Sequence, residues 1–360
     1  MTANFLLAIV SFTACVLLAP VIHGVAIANR WYDLPGELKI HAKPIPRLGG
    51  VAMMGGILAS LVFALNDSRP VAGVLLVLAA VWAVGLLDDL NGTSPYLRLA
   101  VDFGCGAALW FLGWRLQWFS NPALDFLATV AFLTFAINAM NMLDGMDGLA
   151  LTVSGIASVG FILLMSGQPI GFASGLAWAL VAVCGGMFLF NRPPAQMFIG
   201  DSGSTLLGAS LAFLALDWVR TDTSAHSSVV PLLFLGLPLA DAVAAVVRRL
   251  RGRTSPFAGD RRHFYDLLLR RGWSVEKILG VSAFATVMLV MLPLSAERGH
   301  VGAWLPLCGC VGLCGFLGLQ LGSFASEAPV VNKGIAATQF QETPEPGIKT
   351  PGLRNQSNVI

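Results

Sequence analysis

Residues 122–166 read PALDFLATVAFLTFAINAMNMLDGMDGLALTVSGIASVGFILLMS. Two apolar runs, each long enough to cross a bilayer, flank NAMNMLDGMDG (138–148), which packs two Asn, two Asp and two Gly into eleven residues. A spanning helix needs about 20 mostly apolar residues, because only a helix satisfies its own backbone groups in hydrocarbon. Amides and carboxylates are costly beside lipid. The polar insert therefore marks the end of two spans, and its groups require partners.

Working outward, the pattern repeats along the chain. Of 360 residues, 56% are hydrophobic and 12% charged, with a mean hydropathy of +0.75; a soluble domain carries about 25% charged residues. The expected class is an all-α, polytopic integral membrane protein with ten or eleven spans. Cutting at polar or Gly/Pro-rich breaks gives eleven candidates: 4–27, 48–66, 71–87, 97–113, 122–143, 148–166, 170–190, 203–219, 228–247, 274–294 and 301–321. The 97–113 segment, holding Arg98 and Asp102, is the weakest. Residues 4–22 lack a basic leader and a small-residue cleavage site, so they read as a retained first span. The six cysteines all fall in apolar segments and read as buried hydrophobes; CGCVGLC (308–314) has no nearby histidine to suggest a metal.

Eleven spans put the termini on opposite sides. Arg69, Arg115, Arg220 and Arg298 fall on one side and the other eighteen of 22 basic residues on the other. By the positive-inside rule the N-terminus is outside and the C-terminus cytoplasmic. This places a membrane domain at 1–321, with cytoplasmic loops 28–48, 88–97, 144–148, 191–203 and 248–273. A polar tail follows at 322–360, its composition that of a disordered segment. With a net charge of only +2, nothing suggests nucleic acid.

The chemistry-bearing motifs all land on the cytoplasmic side: DLPGELKIHAKPIPRLGG (33–50), LLDDLNG (86–92), NMLDGMDG (141–148), NRPPAQMFIGDSGS (191–204) and RRLRGRTSPFAGDRRHFYDLLLRRG (248–272). Asp88 and Asp89 end an apolar run, where paired carboxylates bind hard cations or simply face solvent. Asn138, Asn141 and Asp144 recur every three residues, on roughly one face of a helix end, and Asp144 and Asp147 each precede a glycine. Such oxygen ligands suit Mg²⁺ and hydrogen bonding to a polar heterocycle. In FIGDSGS, Asp201, Ser202 and Ser204 stand at a helix start, where capping is the ordinary role and phosphate or metal binding the alternative. The 248–272 stretch gathers eight arginines around His263. Part of that run is the topological signal, and arginine forks also match phosphate oxygens; spacing does not say which one or two arginines bind, and Arg249 is carried as a substrate-binding candidate. One metal, several phosphate-binding cations and a membrane-surface cleft imply phosphoryl chemistry between a soluble nucleotide and a lipid.

In order and spacing, LLDDLNG, NAMNMLDGMDGLA, FIGDSGS and PLADA…DRRHFYDLLLRRG resemble the polyprenyl-phosphate N-acetylhexosamine-1-phosphate transferases, over roughly residues 30–275. The resemblance implies transfer of a sugar phosphate from a UDP-N-acetylhexosamine to undecaprenyl phosphate at the cytoplasmic face of a bacterial inner membrane. It also implies Mg²⁺, with Mn²⁺ as an alternative, and release of UMP. It makes Asp201 the principal metal ligand with Asn141 beside it, Asp88 the carboxylate that positions or deprotonates the lipid phosphate, and Asp89 its partner. Asp144, Asp147 and Asn138 become substrate contacts, and His263 a contact to the sugar nucleotide or its phosphates. Arg98 stands where many members carry a phosphate-contacting lysine, a change that keeps charge and alters geometry. The muramoyl-pentapeptide branch has three consecutive histidines where this chain has HFYD (263–266). A branch feeding O-antigen, teichoic acid or capsule assembly is therefore favoured. Lipid is the surrounding partner, and a homodimer is left open.

Two rival classes are weighed against this. A proton-coupled secondary transporter would hold its polar groups near the bilayer midplane, whereas these lie at span ends. A phosphatidyl-type alcohol transferase needs an arginine soon after its first Asp-Gly, and DGMDGLALTVSG has none.

Overall fold

The computed structural model describes residues 2–36, 41, 43–61, 69–168, 171–221, 229–255 and 259–297. The expected 301–321 span and the 322–360 tail lie outside these residues. Within them the chain is almost entirely helical. The first helix, α1 (Thr2–Ala28), leads into two short antiparallel strands, β1 (Tyr32–Asp33) and β2 (Ile45–Pro46). Then follow α2 (Gly49–Leu61), α3 (Arg69–Asn91), α4 (Pro95–Phe111), α5 (Pro122–Leu143), α6 (Leu149–Leu164), α7 (Phe172–Asn191) and α8 (Gly200–Thr221). A one-turn α9 (Val230–Leu233), α10 (Gly236–Arg251), a short α11 (Phe264–Arg270) and α12 (Val275–Glu297) complete the order.

Six of these helices are long and apolar enough to cross a membrane, in α1, α3, α5, α7, α8 and α12, and α2 and α6 are shorter apolar helices. The protein is a multi-pass membrane protein. Its helix starts follow local chemistry. Ser94 and Asn121 cap α4 and α5, their side-chain oxygens accepting from Tyr96 N at 3.3 Å and Ala123 N at 2.9 Å. Pro95 and Pro122 fill the first helical positions, where a missing N–H costs nothing. The single span expected at 228–247 is instead two helices, broken at Phe234 and Leu235 and resumed at Gly236. A run of leucines conceals that break, although Gly236 and Pro238 mark it.

The bundle is built around α8, which is buried along nearly its whole length and packs against α2, α3 and α5. Outside it, α1 lies on α2 and α7, α4 on α5, α6 on α7 and α12, and α10 on α5. Large apolar side chains left exposed on α1, such as Phe5, Leu6, Ile9 and Leu17, are the side a bilayer covers. Because α8 is central, its N-terminal turn lies where the ends of α3 and α5 and the β2–α2 segment converge.

Candidate active site

Two glycines allow that convergence. A Cβ on Gly85 of α3 would lie 2.7 Å from Asp201 O and Ser202 Cα, and one on Gly50 of α2 would lie 2.7 Å from Gly203 Cα. Only a bare backbone admits these contacts. They bring the last turn of α3 against the first turn of α8. There Asp89, 2% exposed, accepts from Asp201 N at 2.9 Å, Ser202 N at 3.0 Å and Ser202 Oγ at 2.7 Å. These are the amide donors a helix start leaves unpaired, so the cap of α8 is supplied by another helix. The capping role open to Asp201 in the sequence is thus filled by Asp89, and the Asp201 carboxylate points elsewhere.

It points to Arg98. One guanidinium nitrogen, Nη1, lies 2.5 Å from Asp201 Oδ2 and 3.0 Å from Asp88 Oδ2. The other Asp88 oxygen accepts from Thr93 N at 2.6 Å and Thr93 Oγ1 at 2.5 Å. With its amide turned to satisfy its neighbours, Asn141 accepts from Arg98 Nη2 and donates to Asp201 Oδ1 at 3.2 Å and Ser204 Oγ at 2.8 Å. Asp88, Arg98, Asn141 and Asp201, drawn from α3, α4, α5 and α8, form one charged network. One turn earlier in α5, Asn138 donates to Asp102 Oδ2 at 3.0 Å and to Thr134 O at 2.8 Å, within the α4–α5 interface and outside the cavity wall.

Beside Asp201 opens a cavity of about 350 Å³. Its wall holds five carboxylates, those of Asp33, Asp89, Asp144, Asp147 and Asp201, with Arg47 and His41 as cationic or ionisable neighbours. Asp144 caps the end of α5, and among the described residues no donor reaches its carboxylate. Burial, then the Asp201, Asp89 and Asp147 charges, hold its carboxyl well above the usual carboxylate range. Burial also raises Asp147, against the pull of the Ala195 N–H that donates to it at 2.9 Å. Asn191 pins this corner, accepting from Gly148 N at 2.9 Å and donating to Met197 O at 3.0 Å.

His263 and Arg249 are not in that wall. His263 Nδ1 lies 2.5 Å from Asp241 Oδ2, and Nε2 lies 3.8 Å from Asp260 Oδ1. Asp260 in turn receives both ends of the Arg248 fork at 2.8–3.0 Å and has Arg249 Nε at 3.6 Å. Burial pulls the His263 imidazole down, but the Asp241 hydrogen bond and the Asp241, Asp260 and Asp266 charges outweigh it and hold its pKa above the ordinary value. The Arg248 hydrogen bond likewise outweighs burial at Asp260 and lowers it. This second cluster adjoins the first through Tyr265, which stacks on His263 with centroids 5.5 Å apart and donates from its hydroxyl to Met142 O at 3.3 Å.

The sequence reading missed Asp33, His41, Arg47, Asn191 and Phe198 in the wall, and Asp241 and Asp260 around His263. The available signal was position: each sits in, or next to, a polar stretch assigned to one side of the membrane. Chemically, the wall offers oxygen donors and excess negative charge, which suits a hard cation. Among the described residues no three His, Cys, Asp or Glu side chains are close enough to form a closed metal cage. An ion that keeps several waters and takes one or two carboxylates fits such a wall.

A family model, glycosyl transferase family 4, matches residues 71–219, the stretch that contributes Asp88, Arg98, Asn141, Asp144 and Asp201. A probable undecaprenyl-phosphate N-acetylglucosaminyl 1-phosphate transferase of Bacillus subtilis (strain 168) is 29% identical over 74% of this chain and 77% of its own length. An undecaprenyl-phosphate alpha-N-acetylglucosaminyl 1-phosphate transferase of Escherichia coli (strain K12) is 31% identical over 76% and 79%. That of Salmonella typhi is 30% identical over 79% and 81%. With motifs, geometry and overall similarity agreeing, the chain belongs to glycosyl transferase family 4 and is a membrane-embedded transferase.

Proposed function

We propose that this enzyme transfers N-acetylhexosamine 1-phosphate from a UDP-sugar to undecaprenyl phosphate and releases UMP, on the cytoplasmic face of a bacterial inner membrane. N-acetylglucosamine is the first sugar to test, since the relatives' names carry it. The observation that carries the reading is the Asp88–Arg98–Asn141–Asp201 network beside a cavity rich in carboxylates. A phosphate oxygen of the acceptor attacks the β-phosphorus of the donor. The new O–P bond forms as the bond to the bridging oxygen breaks, and UMP leaves with that electron pair.

Asp88 orients the acceptor phosphate and takes its proton if one is present. Its Oδ1 is held by Thr93, while Oδ2 accepts one hydrogen bond, from Arg98 at 3.0 Å, and keeps a lone pair for that proton. Arg98 lies between Asp88 and Asp201, placed to share charge with the reacting phosphates. The residues present fit Mg²⁺ through carboxylates: Asp201 and Asp144 offer oxygen donors on the cavity wall, whereas the Asn141 oxygen expected to join them is turned to Arg98 and its amide positions Asp201. Bound there, the ion would supply charge neutralisation for the diphosphate. The absence of a histidine run at 263–266 supports a lipid-linked O-antigen, teichoic acid or capsule precursor as the product's destination. Incubating purified protein with undecaprenyl phosphate, Mg²⁺ and separate UDP-N-acetylhexosamines tests the reading: one or more should release UMP, and silence with all of them would remove it.

A further inference from the structure

We infer that Arg47 binds the donor, its guanidinium meeting a phosphate of the sugar nucleotide inside the acidic cavity; the inference rests on the UDP-sugar donor proposed above. Among the described residues, the cavity wall sets five carboxylates against one arginine. An entering diphosphate is repelled by that wall except where cations meet it, and a single divalent ion does not balance five carboxylates and a diphosphate together. Arg98 is the other arginine close by, and its nitrogens already serve Asp88, Asp201 and Asn141.

Arg47 is differently placed. Its nearest carboxylate contact, Asp33 Oδ1, is 3.9 Å from Nη1, too far for a hydrogen bond. Its Nε is shielded from solvent and has no hydrogen-bond partner among the described residues. The rest of the fork lines the cavity, the side chain being 31% exposed, and a planar fork of this kind matches phosphate oxygens. The backbone beneath it is fixed: Arg47 N donates to Trp31 O at 3.3 Å, and Arg47 bridges to Phe198. Gly49 N then donates to Phe198 O at 2.9 Å and Gly50 N to Ile199 O at 2.8 Å. PIPRLGG (44–50) is thus bound to the segment leading into Asp201, which fixes the backbone from which the Arg47 side chain reaches the cavity. The competing role, structural countercharge for Asp89, is weak, because the oxygens of Asp89 are already occupied by the start of α8.

The test is calorimetric binding of UDP and of uridine to full-length protein in nanodiscs, for wild type, Arg47→Gln and Arg47→Lys, with KM for donor and acceptor. Losing one charged contact should weaken UDP and raise donor KM about 10- to 100-fold in Arg47→Gln, with a smaller loss in Arg47→Lys. Uridine affinity and acceptor KM should stay within about twofold. Unchanged UDP affinity in Arg47→Gln overturns the inference, and so does an equal loss of uridine, which would mean that Arg47 only shapes the cavity. If Arg47→Gln does not fold, the same criteria apply to Arg47→Lys. A wild type that binds neither ligand removes the donor reading itself, and the inference with it.

Discussion

Arg98 holds two carboxylates with one nitrogen, and that sharing defines what each acid contributes. Asp201 faces the cavity and Asp88 faces away toward Thr93, so their substitutions should separate. Asp201→Asn removes a ligand charge from the wall and should lower turnover by about 10³-fold or more, while the protein still folds. UMP release near the wild-type rate would dismiss Asp201 from that role. Asp88→Asn should stop transfer while UDP affinity stays within about twofold, because its contacts lie outside the cavity wall; loss of UDP binding would reassign it to the donor. The identity of these residues was visible in the sequence because clustered Asp and Asn beside apolar runs have few structural uses. Their pairing was not. That Asp89 would cap α8 while the Asp201 carboxylate turned to Arg98 depends on contacts across more than a hundred residues, which no local pattern encodes.

At the scale of elements, the junction of α3 with α8 depends on Asp89 and Gly85. Asp89→Ala leaves Asp201 N and Ser202 N without acceptors in a buried place, and should cost about 1–3 kcal/mol of stability along with activity. Thermal unfolding checks this, and an unchanged midpoint would show that α8 is capped some other way. The His263 loop gives a pH prediction. In the unfolded chain the imidazole titrates near its ordinary value of about 6.5, and in the fold its pKa is raised. Its charged contacts therefore contribute full stability below about pH 6.5, and that contribution is lost as pH rises through the raised value. The unfolding difference between wild type and His263→Gln should shrink as pH increases; a difference constant with pH would mean that His263 is neutral throughout. Helices were the most legible elements. The span expected at 122–143 matches α5, because Pro122 opens the helix and Asp144 closes it. The two strands at 32–33 and 45–46 are too short for any alternation to register, and they hid the loop that carries Arg47.

For the whole molecule, the account requires one reactive end. The cavity gathers side chains from the segment after α1, the end of α3, the α5–α6 turn, the end of α7 and the start of α8, which is the one-sided clustering the loop charges suggest. If that end is cytoplasmic, a membrane-impermeant maleimide should label Ser255→Cys only in opened cells. Phe119→Cys, between α4 and α5, should label in intact ones. Cys15, Cys105 and Cys184 are buried, and Cys308, Cys310 and Cys314 are replaced by Ser in the parent so that only the introduced thiol reports. The reverse labelling pattern would invert the topology.

The central claim is that the Asp88–Arg98–Asn141–Asp201 network performs sugar-phosphate transfer to a lipid phosphate. The most direct measurement follows UMP and lipid product together, using purified protein, undecaprenyl phosphate, Mg²⁺ and UDP-N-acetylglucosamine, alongside folded Asp201→Asn. The account predicts UMP and a sugar-bearing undecaprenyl diphosphate in equal amounts from wild type, and neither from the variant. Equal yields from both proteins would contradict it, as would UMP formed without any lipid-linked product.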